Sequence, residues 1–236
     1  MGQHGEHGSL VKATAIVAVT LAASLPVPAV ACRLALLLAL DVSSSVDPAE
    51  YELQRSGLAA ALLAPEVESA FLNGVPVALA AYEWSGRYNQ ATVLDWRLIA
   101  GRADLLAASE RIATTRRSET EHPTAIGYAL GHAASFFSHA PVCERRTIDI
   151  SGDGENNEGF APVLAYRHFP LGGVTVNALA IGGSVQLDGL VDYFRAEVIR
   201  GPGAFVQTAL DYGDFERAMR LKLEREIAVR ILGAAE

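Results

Sequence analysis

Leu34-Ala35-Leu36-Leu37-Leu38-Ala39-Leu40-Asp41-Val42-Ser43-Ser44-Ser45 is the stretch that decides the fold. Seven apolar residues in a row, with no polar alternation, describe a strand buried on both faces, as inner strands of a parallel sheet are. The run breaks at a carboxylate and a serine cluster. Asp47-Pro48-Ala49-Glu50 then reads as a helix start, because Asp47 can cap, Pro48 suits the first helical position and Glu50 completes a capping box. This helix is expected to run to about Ala64, with Pro65 as its stop.

Working outward, the same alternation continues. Residues 75–84 and 91–99 are apolar runs joined by the short polar connection 85–90, which suits a hairpin and makes these two strands antiparallel neighbours. Residues 102–114 read as a helix with Leu105, Leu106 and Ile112 on one side, and 115–123 as a polar loop. Residues 125–139 form another helix, bearing Ile126, Leu130, Phe136 and Phe137. Strands are expected at 145–150, 174–181 and 204–207, with helices at 187–198 and from 211 to about 231. Strands alternating with helices predict one α/β domain: a doubly wound, mostly parallel sheet with helices on both faces.

Composition bounds the function. The chain has 236 residues, half of them hydrophobic, enough to bury one sizeable core. Its formal charge of −8, with no Lys/Arg cluster, argues against a nucleic-acid partner or an anionic membrane surface. Residues 1–31 differ from the rest: Lys12 precedes an Ala-rich apolar run, 13–25, followed by Pro26, Pro28 and Ala29-Val30-Ala31. That pattern reads as a signal peptide cleaved after Ala31, leaving 32–236 as the mature domain in the periplasm or secreted. The run is too short to span a bilayer comfortably, so no membrane insertion of the mature chain is expected. A lipid on Cys32 is disfavoured because Ala29 stands where a lipobox prefers Leu. The two cysteines, Cys32 and Cys143, leave open both a disulfide and a pair of free thiols.

Ligands of open α/β sheets bind beyond the carboxyl ends of the strands. Two strand ends here carry a carboxylate among small polar residues, Asp41-Val42-Ser43-Ser44-Ser45 and Ser151-Gly152-Asp153-Gly154, and Thr124 opens a helix between them. With right-handed connections all three lie on one edge of the sheet. Two carboxylates and several hydroxyls, with no His or Cys, form a hard, oxygen-only set that suits Mg²⁺, Ca²⁺ or Mn²⁺ rather than zinc or copper. Each piece also has a plainer reading. The serines suit a turn, Thr124 a helix N-cap, and Asp153 a turn before Gly154.

The apolar strand, Asp41-Val42-Ser43-Ser44-Ser45, Thr124 at a helix start and Asp153-Gly154 after a later strand together resemble the metal-ion-dependent adhesion site of von Willebrand factor A domains. The resemblance covers residues 34–231. Tyr82-Glu83-Trp84-Ser85-Gly86, with Trp96 beyond, resembles a bacterial branch of that superfamily of unknown function. The chain departs from the family pattern at His122-Pro123, where two glycines are frequent, and at Ser151-Gly152, where a Thr is common.

The resemblance implies a six-stranded sheet of order 3-2-1-4-5-6 with strand 3 antiparallel. It implies Mg²⁺ held by Asp41, Ser43, Ser45, Thr124 and Asp153, and a protein partner that supplies an acidic residue to the ion. With that strand order, Cys32 and Cys143 fall near the same end of neighbouring parallel strands, within disulfide reach. The resulting expectation is an exported, non-enzymatic, metal-dependent binding module. The alternative is a metal-dependent hydrolase of phosphate or ester groups using Asp41; against it, position 43 is Ser, and neither a nucleophile elbow nor a Gly-rich phosphate loop occurs. Three further readings concern other residues. The histidines show no zinc spacing, 155–158 reads as a solvated turn, and Trp84 and Trp96 are expected to face each other across the hairpin as core.

Overall fold

The computed structural model describes residues 1–2, 5 and 32–228. Six strands, β1 (Cys32–Asp41), β2 (Val77–Ser85), β3 (Asn89–Ile99), β4 (Cys143–Gly152), β5 (Val174–Ile181) and β6 (Val206–Ala209), form one sheet in the order β3-β2-β1-β4-β5-β6. Only β3 is antiparallel to its neighbour. Around the sheet lie α1 (Pro48–Leu62), α2 (Pro65–Leu72), α3 (Arg102–Ala113), α4 (Ile126–Phe137), α5 (Pro162–His168), α6 (Ser184–Tyr193) and α7 (Phe215–Ile227). The fold class and strand order expected from the sequence are those observed.

Every residue of β1 is buried, because helices cover both faces. The pleat sends Leu34, Leu36, Leu38 and Leu40 into a core shared with Leu58 and Leu62 of α1, Phe71 of α2 and Phe215 of α7. It sends Ala35, Leu37 and Ala39 into a second core with Leu130 and Ala133 of α4 and Phe194. β1 is thus clamped from both sides, so the residues just beyond its carboxyl end start from a fixed point. Asp47 closes the expected capping box at the head of α1: its carboxylate accepts from the Ala49 and Glu50 amides, and Glu50 accepts from the Asp47 amide.

Some elements differ from the sequence reading. α1 ends at Leu62, and Pro65 opens α2 instead of merely stopping a helix, since a proline suits a first helical position where no amide is needed. Pro162 opens α5 in the same way, in a stretch not expected to be helical. α6 ends at Tyr193 and passes into a π-turn, Phe194–Val198. β6 begins two residues later than expected, and a 3-10 turn, Tyr212–Asp214, precedes α7. Trp84 and Trp96 do not face each other. Trp84 sits opposite Gln90, whereas Trp96 lies far down β3, packs on Phe136 and Phe137 and donates to the Phe136 carbonyl at 3.0 Å.

A disulfide joins Cys32 and Cys143, register partners on β1 and β4 with Cα atoms 4.5 Å apart. The expected leader, 1–31, lies outside the described residues apart from positions 1, 2 and 5, as does the expected helix end at Ile231. Among the described residues no helix is long and apolar enough to cross a membrane.

Candidate functional site

β1 and β4 end side by side, and their last residues lead straight into the two polar loops. Gln54 of α1, itself buried, ties the strand ends together: its amide donates to the Asp41 carbonyl at 2.9 Å and accepts from the Ser151 hydroxyl at 3.3 Å. The polar side chains beyond converge. The Asp41 carboxylate accepts from the Ser43 amide at 2.8 Å, Ser43 Oγ lies 3.2 Å from Ser45 Oγ, and the Thr124 hydroxyl meets Ser43 Oγ at 3.3 Å. Ser45 donates to Asp153 Oδ1 at 2.6 Å. All five residues singled out from the sequence therefore form one continuous oxygen cluster. It grades from buried Asp41, Ser43 and Thr124 to a half-buried Asp153 and an exposed Ser45, so it opens outward at one side.

Thr124 does not cap α4. The cap position is Ala125, which offers no side-chain bond, and the Thr124 hydroxyl turns to Ser43 instead. The helix start is capped from outside by Asn156, whose Oδ1 accepts from the Gly127 amide at 3.1 Å. Asn157 Oδ1 accepts from the Thr124 amide, and the Asn157 and Glu158 amides donate back to the Thr124 carbonyl. Segment 155–158 is thus a brace for the Thr124 loop, not a merely solvated turn.

The family departure at His122-Pro123 is accommodated by neighbouring loops. The His122 carbonyl accepts from the Ser44 amide at 2.8 Å, and the Pro123 carbonyl from the Gly86 amide at 2.7 Å. Gly86 has φ +53°, and a Cβ there would lie 3.0 Å from the His122 Cβ, so both backbone angle and space call for glycine. At the other departure, a Cβ on Gly152 would come within 3.1 Å of Asp41 Oδ2.

The electrostatics are unbalanced. Asp41 Oδ2 is buried and has no hydrogen-bond partner among the described residues. Burial, and then the neighbouring Asp153 charge, push the Asp41 carboxyl up to about 7. Tyr212, from the 3-10 turn before α7, brings a buried hydroxyl beside both carboxylates, and burial followed by Asp153 and Asp41 drives its pKa upward. Arg117 touches the cluster only from behind, donating to the Val42 and Ser43 carbonyls at 3.0 and 2.9 Å. Buried acceptors normally find donors, so an unsatisfied carboxylate oxygen beside a second carboxylate is a place where added positive charge would be stabilised. Hydroxyls and carboxylates are the donor set a hard divalent cation takes. Among the described residues no group of three or more His, Cys, Asp or Glu is placed to hold a metal, so any ion here depends on the hydroxyls. Gln54, Arg117 and Tyr212 were not singled out from the sequence, and Asn156 and Asn157 were read only as part of a solvated turn, because their roles rest on contacts with residues distant in the chain.

Comparison with known proteins places this architecture. It resembles proximal thread matrix protein 1 from the mussel byssus (TM-score 0.56, 16% identity, 81% of this chain and 47% of that one). It also resembles a von Willebrand factor type A protein from Catenulispora acidiphila (0.54, 16%, 84% and 42%) and the conserved hypothetical protein BatB from Bacteroides thetaiotaomicron (0.53, 18%, 82% and 98%). The chain spans about half the length of the byssus protein. At these identities the likeness is one of fold. One structure of the byssus protein is described as having a zinc-occupied MIDAS motif, the metal-ion-dependent adhesion site. No curated protein matches the chain. The model of the family described as "Protein of unknown function (DUF1194)" matches residues 31–231, so the chain belongs to that bacterial family, whose fold here is that of von Willebrand factor A domains.

Proposed function

We propose that this protein is an exported, metal-dependent protein-binding module that captures an acidic residue of its partner. Asp41, Ser43, Ser45, Thr124 and Asp153 would hold Mg²⁺, with Ca²⁺ or Mn²⁺ as substitutes. The observation that carries the reading is the buried, partnerless Asp41 Oδ2 beside Asp153, in a cluster otherwise made of hydroxyls. When bound, a divalent cation supplies a positive centre with coordination positions open to an outside oxygen.

The protein's own residues do the rest. Asp41 Oδ1 orders the Ser43 turn, Gln54 fixes the spacing of the two strand ends, and the 155–158 brace fixes Thr124. Because three of the five side chains are neutral hydroxyls, they compensate the ion's charge only in part, which favours an anionic donor from outside. The zinc-occupied motif of the byssus protein supports a metal role for a site of this type and argues for including Zn²⁺ in any titration. The disulfide supports export, since such bonds persist in oxidising compartments.

Affinity capture from an envelope extract, with Mg²⁺ or with EDTA, tests the reading. Retained proteins should disappear with EDTA and with Asp41→Ala. The same proteins recovered under all three conditions would end it.

A further inference from the structure

Beside the cluster, α1 and the loop after α3 enclose an open groove of about 550 Å³. Arg55, Arg116 and Arg117 line it together with Tyr51, Thr114, Thr115 and Thr120; the Thr114 and Thr115 hydroxyls donate to the Glu110 and Arg111 carbonyls, which leaves the arginines as the charged donors of the groove. Glu52 is the one acid on its wall, and it is engaged with Arg55. In a chain of net charge −8, this is a local excess of positive charge.

The guanidiniums are incompletely satisfied. Each has five N–H donors. Arg117 spends one nitrogen on the Val42 and Ser43 carbonyls while its ring-facing side lies over Tyr51, 5.6 Å from the centroid. Arg55 spends one nitrogen on Glu52, and the Nε atoms of Arg55 and Arg117 are buried with no partner among the described residues. Arg116 is exposed and forms no ion pair or side-chain hydrogen bond among the described residues. Arginine forks recognise carboxylates, often with two parallel bonds. Arg117 also makes the groove continuous with the proposed metal loop, since it holds the backbone of Ser43 itself.

We infer that this groove is a second contact for the partner, taking a carboxylate-bearing side chain that neighbours the one on the ion. The protein would thus select an acidic segment, not an isolated acid. This inference rests on the metal-site reading above. Positive charge beside the ion also raises the encounter rate of an acidic partner.

Hexaglutamate is a suitable probe, titrated into the full chain in Mg²⁺ and in EDTA. The test variants are Arg55→Gln/Arg116→Gln in the groove and Arg97→Gln/Arg195→Gln, two exposed arginines outside it with the same change of charge. In Mg²⁺ the groove variant should bind at least tenfold more weakly than the native chain, and the control variant should stay within twofold. EDTA should weaken binding of the native chain further. A groove variant that binds as the control does would overturn the inference, and with EDTA sensitivity intact it would leave the metal site standing. Dependence on Arg55 and Arg116 without any EDTA effect would support the groove and remove the metal reading. No binding of the native chain at millimolar probe would overturn the groove.

Discussion

Two aspartates four residues apart, Asp149 on β4 and Asp153 just past its end, each sit beside another carboxylate under very different terms. Asp149 lies in the core with Glu226 of α7, and the protein places its own cation between them. Lys222 Nζ is 2.6 Å from Asp149 and 2.7 Å from Glu226, with all three side chains sealed from solvent or nearly so. Asn177 adds a hydrogen bond to Glu226 at 2.7 Å. Asp153 lies just past the strand end with Asp41, and among the described residues no lysine or arginine side chain forms an ion pair with either. The fold buries a lysine against one acidic pair, whereas at the other the Arg117 charge opposes the rise of the Asp41 pKa without forming an ion pair among the described residues. The difference separates a structural ion cluster from the cluster proposed above to hold a divalent cation.

Breaking the internal cluster should have the largest effect. Lys222→Met leaves two buried carboxylates without their cation, which costs about 3–5 kcal/mol. Its thermal midpoint should fall by roughly 2–4 °C per kcal/mol, and Mg²⁺ should not restore it.

The disulfide ties β1 to β4 at the end opposite the site. Cys32→Ser/Cys143→Ser should cost about 2–4 kcal/mol in chemical denaturation. The variant should retain the native metal response, because the strand ends near Asp41 are held separately by Gln54.

At the site the sign should reverse. In EDTA, Asp41→Asn removes a charge that is buried, partnerless and repelled by Asp153, so stability should rise by about 1 kcal/mol. Calorimetric scans of both chains in EDTA check this, and a loss of stability would mean that Asp41 is structurally paired after all.

The last effect concerns protons and is read as a slope with pH. Burial, then Asp149, push the Glu226 carboxyl up to about 8 from an ordinary 4.5, against the opposing pull of Lys222. Between those values the folded chain holds a proton that the unfolded chain has released, and one lysine then balances one carboxylate. This contribution to stability is full below pH 4.5 and is lost as pH rises through about 8. Glu226→Gln should therefore show a flatter decline of thermal midpoint between pH 5 and 8 than the native chain does.

The contrast also marks what was legible in the sequence. The strands could be read because burial on both faces leaves continuous apolar runs such as 34–40, whereas their order was implied by the family resemblance; Asp41, Ser43, Ser45 and Asp153 stood just beyond such runs and Thr124 at a helix start. Helices α2 and α5 were missed because Pro65 and Pro162 look like breakers but serve as first helical residues. Lys222, Asp149 and Glu226 were unreadable as a cluster: in α7, Lys222 and Glu226 look like part of an exposed, mixed-charge face. Only the packing of α7 against β4 and β5 reveals them as core. Gln54, Asn157 and Arg117 were hidden for the same reason, since each acts on a backbone group many residues away.

Titration calorimetry of the purified chain with Mg²⁺, beside Asp41→Asn, tests the central claim most directly. One ion bound per native chain, with the heat abolished in Asp41→Asn, is the expected result. Native chain that takes up no divalent cation at millimolar concentration, or Asp41→Asn that binds as well as native, would contradict it.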